Sequence, residues 1–147
     1  MIAIIIGFAA PVAAVAGIDN LSTLDVTSLH VIGVIVTIVG IALTVIAQFA
    51  MAESWRIGVD PNERTPLVTT GAFAMVRNPI FTAMLVTATG LTLTIPNVVS
   101  VIGLVALIAA LESEARRGAI LVVTHGTDYR RYAQRVGRFA PTIGRLS

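Results

Sequence analysis

The stretch Leu67–Gly90, LVTTGAFAMVRNPIFTAMLVTATG, decides how this chain is read. It passes from a polar loop through Arg77-Asn78-Pro79 into an apolar run that reaches Ile95. Proline suits the first position of a helix, where its missing N–H is not needed. A helix over 79–95 would span about 25 Å, most of a bilayer core of roughly 30 Å. Its free N–H groups and positive dipole end would lie beside the Arg77 charge, a combination that favours a carboxylate or phosphate. The plainer reading is a helix start with a positive anchor at a membrane edge. Were the motif to stand alone, the plainer reading would hold.

The composition around it points to lipid. The chain has 147 residues, 56% hydrophobic and only 12% charged. A soluble domain carries roughly 25% charged residues. One domain of this size could not cover so much apolar side chain in water, so an all-α integral membrane protein is expected. With no cysteine, a disulfide framework, a thiolate nucleophile and a cysteine-ligated metal are all excluded. All ten basic residues are arginine, and they fall within 53–78 and 116–145. In a soluble chain that bias would raise nucleic acid as a partner. Beside apolar spans it marks the cytoplasmic side, with anionic membrane lipids as neighbours.

About four spans follow, near 2–18, 29–52, 79–95 and 97–111, with a loop at 53–78 and a tail at 112–147 in one membrane domain. The first is short and contains Pro11; a cleaved signal peptide is its rival, against which stands the lack of a basic leading segment. The loop over 19–28 and the turn at Pro96-Asn97 carry no arginine, whereas the 53–78 loop has three and the tail seven. That alternation places both termini and the central loop in the cytoplasm, at a plasma or prokaryotic inner membrane.

Two spans carry matching stripes. Gly33, Thr37, Gly40 and Thr44 recur at steps of four, three and four, and so do Ala83, Thr87, Gly90 and Thr94. Small residues at this spacing let membrane helices approach closely, so the second and third spans are expected to pack together. In the tail, Thr127 can cap a helix running to about Val136, with Gly137 as its stop. Tyr129, Tyr132, Ala133 and Val136 share one face of it, and Arg131, Arg135 and Arg138 another. This is expected as a C-terminal interfacial helix, its tyrosines in the headgroup layer.

No span has Asp, Glu, Arg or Lys in its interior. That counts against a proton-coupled transporter, which needs an intramembrane ionisable group. The two histidines, His30 and His125, fall at opposite ends of the topology, which disfavours a two-histidine metal site, and no metal is expected. Polar groups gather instead at the cytoplasmic edge, suited to a water-borne charged cofactor with a lipidic substrate arriving sideways.

Several ordered blocks then carry a resemblance. Ser54-Trp-Arg-Ile-Gly58, Leu67-Val-Thr-Thr-Gly71, Met75-Val-Arg-Asn-Pro79 with Ile80-Phe-Thr, His125-Gly-Thr-Asp-Tyr129 with Tyr132, and Arg135-Val-Gly-Arg-Phe-Ala-Pro141 together resemble the isoprenylcysteine carboxyl methyltransferase family, relatives of the phospholipid methyltransferases. The resemblance covers about residues 51–141. It implies a membrane enzyme that transfers a methyl group from S-adenosylmethionine. It further implies a cofactor pocket built from Leu67, Val68, Gly71, Val76, Arg77, Asn78, Pro79, Phe81, Tyr129 and Tyr132. Against the family's Arg-His-Pro-x-Tyr-x-Gly pattern, this chain has Asn78, Phe81 and Ala83 at the His, Tyr and Gly positions. The family's Glu-Glu pair falls on Arg117 and Gly118, and the nearest acids, Glu112 and Glu114, lie upstream; a local shift would give Glu114 that role.

A carboxylate acceptor needs little acid-base help, and an arginine beside it would hold it with two hydrogen bonds. Arg135 is the first candidate for that catalytic position and Arg138 the second. The expected activity is therefore methylation of a lipophilic or isoprenoid small molecule, with O-methylation of a carboxylate favoured. The rival from another class is a small membrane scaffold or transporter whose Arg-rich tail binds lipid.

Overall fold

The computed structural model describes residues 12, 16–51, 69–117 and 120–145. Among them the chain is helical, without strands: α1 is Thr27–Met51, α2 Ala72–Met75, α3 Pro79–Thr94, α4 Val98–Arg117 and α5 Ile120–Arg135. Nearly all of the expected span over 2–18 lies outside the described residues. So do most of the 53–78 loop and, with it, Leu67 and Val68.

The chain divides into two compact units. One comprises Met1–Ala42 and Ala83–Ser113, the other Leu43–Thr82 and Glu114–Ser147. In the first unit the two small-residue stripes meet. A Cβ added to Gly33 would lie 2.5 Å from the Thr94 nitrogen, one on Gly40 2.5 Å from the Thr87 nitrogen, and one on Gly90 2.5 Å from the Thr37 nitrogen. Gly33, Thr37 and Gly40 thus ascend one helix as Thr94, Gly90 and Thr87 descend the other, so α1 and α3 run antiparallel in backbone contact. The packing expected from the stripes is present at Gly33, Thr37 and Gly40 against Thr94, Gly90 and Thr87. Thr37, Thr87 and Thr94 return their hydroxyls to the carbonyls four residues earlier, at 2.8–2.9 Å. Their polar groups are therefore satisfied within their own helix and cost little at an apolar seam.

Pro96 and Asn97 turn the chain from α3 into α4, and both side chains are fully buried. Asn97 Oδ1 accepts the Ser100 N–H at 2.9 Å, an N-cap, while the Ser100 hydroxyl donates back to Asn97 O at 2.8 Å. The Leu21 N–H reaches Pro96 O at 2.8 Å, which ties the 16–26 loop to this turn.

Polarity is inverted relative to a water-soluble protein. Small residues line the seam, whereas Val31, Ile35, Ile38 and Phe49 of α1 and Val98, Ile102, Val105 and Ile108 of α4 are exposed. Exposed apolar side chains in this number have lipid as their natural solvent. Of the described helices, α1 alone has both the length and the unbroken apolarity to cross a membrane, over Thr27–Ala50. The 16 residues of α3 reach only about 24 Å, and α4 continues beyond the expected limit at 111 into Glu112 and Glu114. The described helices carry one full-length span; the count of four is not established by them.

Candidate functional site

The second unit is organised around Arg77. Gly71, at φ 60° and ψ −131°, occupies a conformation open to glycine and leads into the single turn of α2. Val76 then extends (φ −140°, ψ 147°) and pairs in parallel with Gly137 of the tail. The Arg77 N–H donates to Gly137 O at 2.8 Å, and the Asn78 N–H to Arg138 O at 3.1 Å. Gly137 has no room for a side chain, since a Cβ there would lie 2.7 Å from Ile143 O. The tail turns back through Arg138 N–H to Ile143 O (2.8 Å) and Ile143 N–H to Ala140 O (3.2 Å).

The two N–H groups that precede the helix start are thus donated to the tail. What faces inward is the Arg77 side chain, 9% exposed. One terminal nitrogen, Nη2, donates to Gly144 O, and the other, Nη1, lies 3.5 Å from the Tyr129 hydroxyl. The third nitrogen, Nε, is buried without a partner. A buried, unpaired donor on a permanent cation is a strong acceptor-seeking group.

The tail helix presents its aromatic face to this cluster. Gly126, at φ 51° and ψ −121°, breaks α5, and the helix resumes after it to end at Arg135. Ala133 is wholly buried beneath it, and Tyr129 and Tyr132 are half-buried with ring centroids 6.2 Å apart, edge to face. The Tyr132 hydroxyl donates to Phe73 O at 2.6 Å. Burial first, and the neighbouring Tyr129 second, push the Tyr132 phenol from 10.0 up to about 12, against the opposing pull of Arg77. The tyrosines therefore bind this chain's own segment around Arg77. A hydroxyl that finds a carbonyl inside the fold keeps that bond when the ring is buried.

Thr82 fastens the other side. Its hydroxyl bridges Asn78 O (3.0 Å) and Phe139 O (2.8 Å), while Phe81 and Phe139 pack with centroids 6.4 Å apart. Of the expected site residues, Val76, Arg77, Asn78, Pro79, Phe81, Tyr129 and Tyr132 gather here, and Arg138 joins through its main chain. Gly71 stands exposed at the start of α2, and the side chains of Arg135 and Glu114 are exposed. Phe73, Thr82, Phe139 and Gly144 were not foreseen. Thr82 and Phe139 stood within blocks that carried the family resemblance, and Gly137, Pro141 and Gly144 announce a tight turn, but neither signal says what these residues touch.

The fold has a counterpart of known structure. It is similar, with a TM-score of 0.74 and 20% sequence identity, to a eukaryotic intramembrane Ras methyltransferase, isoprenylcysteine carboxyl methyltransferase. The likeness takes in 99% of this chain and 53% of the other, so the chain spans about half the length of that protein. No protein-family profile matches the sequence, and no curated protein matches it.

Proposed function

We propose that this chain is a membrane-bound, S-adenosylmethionine-dependent methyltransferase whose acceptor is a lipidic or isoprenoid molecule, a carboxylate by preference. The observation that carries the reading is the buried Arg77 with its unpaired Nε, flanked by two tyrosines, on a fold similar to that of an intramembrane methyltransferase.

The residues fit the cofactor. S-adenosylmethionine bears a carboxylate, and Arg77 offers a charged donor with one arm free. Tyr129 and Tyr132 supply aromatic faces of the kind that hold adenine or a sulfonium. The Asn78 side chain can donate and accept, Val76, Pro79 and Phe81 add apolar wall, and the exposed Gly71 stands on the water side. When bound, the cofactor supplies an electrophilic methyl group on a sulfonium. The exposed Arg135, with Arg138 as second choice, holds the acceptor carboxylate in line, and Glu114 serves as the acidic group nearby. A carboxylate acceptor held there is already deprotonated, so the chain would need to supply no base. The chain's contribution is position and exclusion of water.

In this reading four spans place both termini and the Arg-rich segments on the cytoplasmic side of a plasma or prokaryotic inner membrane. Supplying radiolabelled methyl donor to the purified protein with lipid extracts tests the activity. A labelled, extractable lipid whose label is released by alkali is a methyl ester and supports the reading. Alkali-stable label would move the acceptor to an amine. No labelled lipid with any extract, in detergent or nanodiscs, would favour the scaffold instead.

A further inference from the structure

We infer that residues 140–145 form a displaceable strap, and that a ligand carboxylate takes the strap's place on Arg77. The inference rests on the binding reading above and adds to it what the tail does.

The planar guanidinium offers Nε–H and one Nη2 N–H from a single edge, spaced to receive two oxygens of one anion. In this structure that edge is half used. Gly144 O accepts from Nη2, and Nε is left buried and unpaired. A lone carbonyl oxygen serves one arm; a carboxylate serves both, with charge. The strap is thus a poor substitute for the group the edge is shaped to hold.

The strap is also weakly seated. Residues 141–145 are exposed, and Ile143, its largest apolar side chain, is 69% exposed, so no buried anchor fixes it. Within the tail its attachments are Arg138 N–H to Ile143 O and Ile143 N–H to Ala140 O. Thr142 sits at φ 75°, a left-handed conformation strained for a β-branched residue, and Gly144 follows at φ 73°. Release of the strap relaxes Thr142 and frees Nη2. Arrival of a carboxylate then pairs Nη2 and Nε together. Ligand binding and the seated strap are mutually exclusive at that edge.

The carboxylate has two sources, the amino-acid moiety of the cofactor or the acceptor, and the two are separable. Amide hydrogen exchange at Arg138 and Ile143 would be followed in full-length protein in nanodiscs. S-adenosylhomocysteine and a fifteen-carbon isoprenoid carboxylate serve as separate probes, with occupancy checked by calorimetry. The strap predicts exchange about tenfold faster with at least one probe. That response should vanish in Arg77→Lys, which keeps the charge and loses the two-armed edge. Gly144→Val cannot hold φ 73°, so its amides should exchange fast without ligand and it should bind the effective probe several-fold more tightly. If S-adenosylhomocysteine binds while exchange stays unchanged or slows with both probes, the strap is wrong and the cofactor reading survives. If only the isoprenoid carboxylate binds and speeds exchange, the strap stands and the cofactor reading falls. If neither probe binds, both are overturned.

Discussion

The α1–α3 seam and the Arg77 cluster are both places where backbones come close, and they are held by opposite means. At the seam closeness comes from what is missing. Gly33, Gly40 and Gly90 leave no side chain between the helices, and each threonine hydroxyl is satisfied within its own helix. At the cluster closeness comes from directed bonds between segments far apart in the chain: 77 to 137, 82 to 139, 132 to 73, 77 to 144. The seam is rigid by volume. The cluster is specified bond by bond, and one bond, to Nε, is left unmade. A region that must hold its shape and a region that must receive something would be built in these two ways.

Adding volume is the sharpest way to break the seam. Gly40→Leu or Gly90→Leu places atoms where even a Cβ is 2.5 Å from backbone nitrogen. The expected cost is roughly 3 kcal/mol or more, read as loss of folded protein in detergent. Tolerance of both changes would mean that the helices do not pack along these stripes. The cluster should respond more gently and one bond at a time. Thr82→Val removes the bridge to Asn78 O and Phe139 O and is expected to cost about 1–2 kcal/mol, measured by thermal melting.

The smallest effect is also the most specific. Tyr132 has its phenol raised from 10.0 to about 12, so the folded state holds that proton more firmly than the unfolded chain. The stability this contributes is complete below pH 10 and is lost as pH climbs through about 12. Tyr132→Phe should lower stability by about 1 kcal/mol near neutrality through the lost bond to Phe73 O. It should also flatten the decline between pH 10 and 12 that wild-type melting curves show. An unchanged alkaline profile would place Tyr132 outside the cluster.

These differences explain what the sequence disclosed. The seam was legible because absence of side chain is written directly in residue identity, and a four-three-four step maps onto one helix face. The helix start at Pro79, the turn at Pro96-Asn97 and the resumption of a helix near Thr127 were legible for a similar reason: each is set by chemistry within a few residues. The cluster was only partly legible. Arg77, Tyr129 and Tyr132 were brought into one pocket by the family resemblance alone, and by nothing local in their own segments. Nothing local says that the Arg77 and Asn78 N–H groups are taken by the tail, or that Thr142 turns left-handed to bring Gly144 O to the guanidinium. Those are long-range backbone bonds, available to any residue type. The extent of α4 was missed because Glu112 and Glu114 look like an end in lipid, whereas a helix is free to continue into water.

Arg77 and its two tyrosines are proposed to bind S-adenosylmethionine. Calorimetric titration of the cofactor into wild-type and Arg77→Ala protein, both in nanodiscs and both checked for folded helix content, tests it most directly. The account predicts saturable micromolar binding to wild type, weakened at least about tenfold, or 1.4 kcal/mol, in Arg77→Ala. Absence of saturable binding to wild type, or equal binding to both proteins, would contradict it.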